Sequence, residues 1–345
     1  MNNTSDANIV YMQQKKRTAV QKVVDEILTS VVYPCIRRLL SCVTPVCICI
    51  LRALGDLYGL VMQFFGLRWG SNLVVTSMQH KYLRGEWVSR GDFTQKKITV
   101  LYIHGGAFIV GSPLQYRPIT LQIAKIMKTS RLLVLKYRKA PEHPFPSGLD
   151  DCISAYTYLI RDLMVKPDSI VLMGDSAGGN LAFAVALYCS MTQLPQAGAL
   201  VGLSPWLNPC TATSTLAKHA SENNDKMQPV HMRDTILRMY LNDTRIGTSK
   251  FSNTEAHPLV CPMLATDEQL QQLPPLLIQV GAADALMTDC KAFVERVASI
   301  QGRTSANKLH IWEGLPHVFQ MFSVLVPEAE KSLQYVSEFI NQQLM

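Results

Sequence analysis

From residue 98 onward, short apolar runs alternate with stretches of helical periodicity. Residues 98–103, 132–135, 169–172, 199–203, 276–280 and 309–312 are runs of four to six residues rich in Val, Ile and Leu. Runs of this length and composition mark strands buried on both faces. Between them the spacing predicts helices near 114–127, 151–163, 181–187, 291–299 and 328–344. Strands alternating with helices imply a mostly parallel central sheet, flanked by helices and joined by right-handed crossovers. A polar, irregular insertion over 208–257 interrupts the alternation.

Upstream the pattern changes. Residues 1–17 are polar and read as a mobile tail. Over 18–32, Val20, Val23, Val24, Ile27, Leu28 and Val31 recur opposite Lys22, Asp25 and Glu26, which predicts an amphipathic helix. Residues 46–65 are apolar almost all round. Their polar members Arg52, Asp56 and Gln63 fall on one narrow stripe, where Arg52 and Asp56 are spaced to pair. The uninterrupted apolar run between Arg38 and Arg52 is about 13 residues, short of the roughly 20 a bilayer span needs. Two readings fit this region: a pair of helices capping a site entrance, or a monotopic membrane contact with a basic flank. In the second, Cys42, Cys47 and Cys49 would offer thiols for acylation.

Composition narrows the classes. A chain of 345 residues that is 48% hydrophobic can bury a large core, which excludes wholesale disorder. The net charge is +7, and residues 1–70 hold eight basic against four acidic side chains. That bias lies in an apolar region with no nucleic-acid motif beside it, so it points to an anionic membrane surface rather than to nucleic acid. Nine cysteines without metal-type spacing fit a reducing, intracellular compartment, in the cytoplasm or on a membrane surface. An early apolar stretch of the secretory type is missing, so no cleavable signal is expected.

The chemistry centres on Gly174-Asp175-Ser176-Ala177-Gly178, between a buried strand and an apolar helix. This fits the Gly-x-Ser-x-Gly elbow, in which a sharp turn projects the serine hydroxyl and the helix N-terminus favours developing negative charge. A serine nucleophile needs a base, and the base an orienting acid. His317, in the loop after the last strand, is the candidate base; His310 sits within that strand and is expected to pack there. Asp284, ending the preceding strand, is the candidate acid, with Asp289 as the fallback. Glycines after residue 103 let backbone N–H groups face a ligand, so Gly105 and Gly106 with Ala177 are the expected oxyanion donors. His104 is expected to fix that loop.

Four segments now read together: His104-Gly105-Gly106-Ala107-Phe108, the run from Tyr137 to Pro146, Gly174 through Asn180, and Ser204-Pro205-Trp206-Leu207. With Gly281…Asp284 and Pro316-His317, they resemble the hormone-sensitive-lipase family of α/β-hydrolases, in that family's order. The resemblance implies an α/β-hydrolase fold with a mainly helical cap. The cap is built from residues 1–66 and 208–256, over a core of 67–207 and 257–345. It also implies a serine carboxylic ester hydrolase with Ser176, Asp284 and His317 as triad. No metal or organic cofactor is required, and the substrate is a small ester or lipid ester of short to medium acyl length. Ala107 stands where the family often has a third glycine. Lys136 and Lys139 replace its usual Asp and Leu, and Ala285 replaces a common proline. An amide deacetylase with the same machinery, or a non-catalytic receptor on the same fold, are the alternatives. Oligomeric state is not legible.

Overall fold

The computed structural model describes residues 8–13, 26, 44–65, 72–94, 96–192, 194–209, 230–243, 256–302 and 306–345. In chain order its elements are β1 (Asn8–Met12), α1 (Pro45–Phe65), β2 (Leu73–His80), β3 (Leu83–Arg90), β4 (Ile98–Ile103), α2 (Pro113–Ile126), β5 (Ser130–Leu135) and α3 (Ser147–Arg161). They continue with β6 (Ile170–Asp175), α4 (Ser176–Thr192), β7 (Ala199–Leu203), α5 (Val230–Leu241), α6 (Asp267–Gln271), β8 (Leu276–Gly281), α7 (Met287–Gln301), β9 (Lys308–Trp312) and α8 (Pro327–Leu344).

The nine strands form one sheet in the order β1-β9-β8-β7-β6-β4-β5-β3-β2. Only β3 runs against its neighbours. The central strands β4, β6, β7 and β8 are buried along their whole length, as continuous apolar runs require in a sheet covered on both faces. Alternate residues go to opposite layers. In β4, Leu101 and Ile103 pack with α3, α4 and α7, whereas Ile98, Val100 and Tyr102 pack with α2 and α8. The expected α/β-hydrolase architecture is therefore present.

Local signals explain the element ends. Ser112 caps α2 by accepting the Gln115 N–H at 3.1 Å, and Pro113 opens its first turn. Gly302, at φ +60°, closes α7.

Three expectations change. Residues 8–12 are not a mobile tail: β1 pairs in parallel with β9, Asn8 opposite Lys308 and Met12 opposite Trp312. The edge of β9 supplies the partner that local sequence cannot reveal. The insertion over 208–257 is not wholly irregular, because α5 lies within it and buries Ile236, Leu237 and Tyr240. Arg52 and Asp56 turn to other partners instead of to each other, as described below. The predicted helix over 18–32, with Arg38 and Cys42, lies outside the described residues apart from Glu26.

Candidate active site

Ser176 stands where β6 meets α4, with φ +50°. That left-handed turn is strained for a residue with a side chain, and the flanking glycines permit it. A Cβ on Gly174 would run into the Gly178 carbonyl, and one on Gly178 into the carbonyls of Ile103 and His104. The elbow and the end of β4 are thus in backbone contact. Both glycines are steric requirements.

Two loops deliver the remaining groups. After β8, Ala282 N–H donates to Trp312 O at 2.8 Å and Ala283 N–H to Leu315 O at 3.2 Å. These bonds stitch the loop carrying Asp284 to the loop carrying His317. The Ser204 hydroxyl, at the end of β7, accepts the Val318 N–H at 3.2 Å and fixes the histidine loop from the other side. As a result, His317 Nε2 lies 2.9 Å from Ser176 Oγ, and His317 Nδ1 lies 2.9 Å from Asp284 Oδ2. The other oxygen of Asp284 accepts the Leu286 N–H at 2.9 Å, which holds the loop even though Ala285 is not a proline. All three side chains are buried.

The competing candidates lie elsewhere. Asp289, in the first turn of α7, accepts from Asn208 at 3.2 Å, which ties that turn to the chain after β7. His310 packs edge-on against Tyr335, and burial pushes its pKa down to about 4.

The glycine loop after β4 corrects one expectation. Gly105 N–H donates to Asp175 Oδ1 at 3.0 Å. A backbone amide has one proton, and this one faces a buried carboxylate, so Gly105 does not serve as an oxyanion donor. Of the expected set, Gly106 and Ala177 remain. Asp175 also accepts from the Tyr102 hydroxyl at 2.9 Å. Burial raises its pKa to about 6 against the lowering effect of these bonds. Asp175 shapes the site although it fills the variable position of the Gly-x-Ser-x-Gly pattern, where the sequence carries no mark of that role.

His104 fixes the loop, as its position predicted. Its Nδ1 bonds the Gly105 carbonyl at 2.8 Å, and its ring lies between those of Tyr137 and Tyr116 at 4.5 and 5.4 Å. Burial holds its pKa near 3, so it stays neutral. Ala107 and Phe108 follow at φ +55° and +63°, conformations glycine would adopt freely at the first of them.

Two helices close over this loop. Tyr240 of α5 stacks on Phe108 at 3.9 Å, nearly parallel, and its carbonyl accepts the Phe145 N–H at 2.6 Å. Trp206 lies 5.9 Å from Phe108. Tyr240 went unrecognised in the sequence, since a lone aromatic in a polar insertion gives no signal. From α1, Arg52 donates to Ile109 O at 2.9 Å and Ala140 O at 3.1 Å. It also grips Glu142 with two bonds, of 2.7 and 2.9 Å. Lys139 is half-buried near Arg52, and desolvation lowers its pKa to about 8. Among the described residues, no three His, Cys, Asp or Glu side chains converge to hold a metal ion.

Comparison with known proteins agrees with this architecture. A family model described as the alpha/beta hydrolase fold matches residues 100–321. An acetyl-hydrolase of Streptomyces hygroscopicus is 31% identical over 257 residues, covering 74% of this chain and 78% of that protein. The carboxylesterase/phospholipase LipF of Mycobacterium tuberculosis is 33% identical over 245 residues, covering 70% of this chain and 61% of its own length. Among solved structures, an esterase from the bacterial hormone-sensitive lipase family superimposes with a TM-score of 0.70 at 28% identity. That match covers 90% of this chain and 99% of the other.

Proposed function

The chain belongs to the hormone-sensitive-lipase family of α/β-hydrolases and is a carboxylic ester hydrolase, and on that premise we propose that Ser176, His317 and Asp284 carry out the reaction through an acyl-enzyme. One observation carries this reading: the continuous chain of contacts Ser176 Oγ–His317 Nε2 and His317 Nδ1–Asp284 Oδ2, each 2.9 Å. His317 takes the hydroxyl proton as Oγ attacks the acyl carbonyl. Asp284 orients the ring and stabilises the imidazolium that forms. The tetrahedral oxyanion rests against the N–H groups of Gly106 and Ala177, with the α4 N-terminus favouring its charge. His317 then gives its proton to the departing alcohol oxygen, and the carbonyl re-forms as an ester of Ser176. Water, deprotonated by the same histidine, attacks that ester; the acid leaves and Ser176 recovers its proton.

A confined acyl site suits the aromatic stack of Phe108 and Tyr240 beside the glycine loop. The relatives' names, acetyl-hydrolase and carboxylesterase/phospholipase, bracket a substrate range from short acyl esters to lipid esters. The helices α1 and α5, from the expected cap segments 1–66 and 208–256, act as the cap, whereas β1 within 1–66 belongs to the central sheet. In support, α1 and α5 converge on the same two segments of the core, around Ile109 and around Ala140–Phe145.

The test is hydrolysis of p-nitrophenyl esters from acetyl to palmitoyl, with Ser176→Ala as control. The proposal expects a maximum at short to medium chains and loss of turnover on the order of 10⁴-fold or more in the variant. It also expects a fluorophosphonate to label Ser176. Substantial activity in a clean Ser176→Ala preparation refutes it.

A further inference from the structure

We propose that the outward face of α1 docks on the surface of an anionic phospholipid bilayer. The helix is mounted inside out. Its polar stripe faces the protein: Arg52 holds Ile109, Ala140 and Glu142, Asp56 bonds the Ser112 hydroxyl, and Gln63 accepts from Arg117 at 3.0 Å. Two glycines bring this side close to α2, since a Cβ on Gly55 or Gly59 would collide with Gln115 or with the Leu114 carbonyl. The opposite side carries Val46, Ile50, Leu54, Leu57, Leu60 and Val61, spaced along one face. Val46 is 66% exposed, and Leu54, Leu57 and Leu60 are each just over half exposed. Arg52 and Asp56 are the only charged residues of the helix, so its outward face has none.

A helix bordering water shows the reverse arrangement, and an apolar face of about 30 Å needs a cover. Charge decides which one. Residues 14–43 contain Lys15, Lys16, Arg17, Lys22, Arg37 and Arg38 against Asp25 and Glu26. In sequence this basic run leads into the helix, and a basic run beside an apolar face is attracted to anionic headgroups. The polar anchors also settle the mode of contact. Residues Pro45–Gln63 are long and apolar enough to cross a bilayer. Crossing, however, would strip Arg52 and Asp56 of their partners inside hydrocarbon. The helix therefore lies in the interface plane and leaves the protein on one side.

The docking does not depend on the catalytic assignment, and the experiment keeps the two apart. Full-length protein is sedimented with phosphatidylcholine vesicles, with and without phosphatidylserine, as wild type, Ser176→Ala and the double variant Leu54→Glu/Leu57→Glu. The expected result is binding of wild type and Ser176→Ala to the phosphatidylserine vesicles, weakened by salt. The double variant should bind at least about tenfold more weakly while keeping its circular dichroism spectrum and its turnover of a soluble acetyl ester. Wild type remaining in the supernatant, or the double variant sedimenting equally well, overturns the proposal. So does a wild-type dimer that the double variant dissociates without any vesicle binding, which would make the face a contact between copies.

Discussion

The carboxylate of Asp175 accepts the backbone N–H of Gly105 at 3.0 Å and so ties the residue before the nucleophile to the first glycine of the facing loop. The bond fixes where Gly106 begins. Asp175→Ala should lower kcat by roughly 10²-fold with little change in KM, the signature of lost transition-state stabilisation. Asp175→Asn keeps an acceptor for Gly105 and should stay within about tenfold of wild type. Steady-state kinetics on one soluble ester separates these outcomes. Equal loss in both variants would assign Asp175 a different role.

The same carboxylate makes stability depend on pH. Burial raises its folded pKa from 3.8 to about 6, so the folded protein holds the proton more tightly than the unfolded chain. Its contribution is fully present below about 3.8 and is lost as pH rises to about 6, after which it is constant. Asp175→Asn removes the titration. The melting temperature of the variant minus that of wild type should therefore grow between pH 4 and 6 and level off above. A difference that shrinks over this range would reverse the sign and contradict the assignment.

Asp284 and Asp289 are five residues apart in one loop and helix start; Asp284 lies 2.9 Å from His317 Nδ1, whereas Asp289 accepts from Asn208. Asp284→Asn should cost about 10⁴-fold in kcat, by leaving His317 in the wrong tautomer. Asp289→Asn should change kcat by less than about tenfold, because its bond goes to Asn208 while Asp284 orients the base. A thermal melt on each variant guards against a shared loss of folding.

Gly178 has no room for a methyl group. With two backbone carbonyls in the way, Gly178→Ala must shift β4 or α4, at a cost on the order of 3 kcal/mol. Urea denaturation measures it. Gly302→Ala, where open space surrounds the position, should be penalised only by its left-handed backbone, by about 1 kcal/mol.

The central sheet and the paired contacts of Ser176, His317 and Asp284 were legible in the sequence because buried strands and sharp turns write their demands into adjacent residues. The rest depends on distant partners. β1 is five residues whose strand character comes from the edge of β9. β2 and β3 form a hairpin with Arg84 and Glu86 in its second strand, so no apolar run announces it. Gly105 and Gly106 look alike in sequence; which N–H turns to Asp175 is decided by the fold. The polar stripe of α1 was equally visible, but its inward direction follows from acceptors 57 and 88 residues away.

Asn180, one turn beyond the nucleophile, donates to Trp206 O at 2.8 Å and to Val260 O at 2.9 Å, the two roots of the insertion that contains α5. One amide group therefore pins both ends of that segment to the elbow helix. Closing a longer segment between fixed ends costs little more than closing a shorter one. The insertion is in this sense an exchangeable part. Segments of other length and chemistry can be grafted between the same two carbonyls, changing what is admitted to the site without disturbing the turn that performs the reaction.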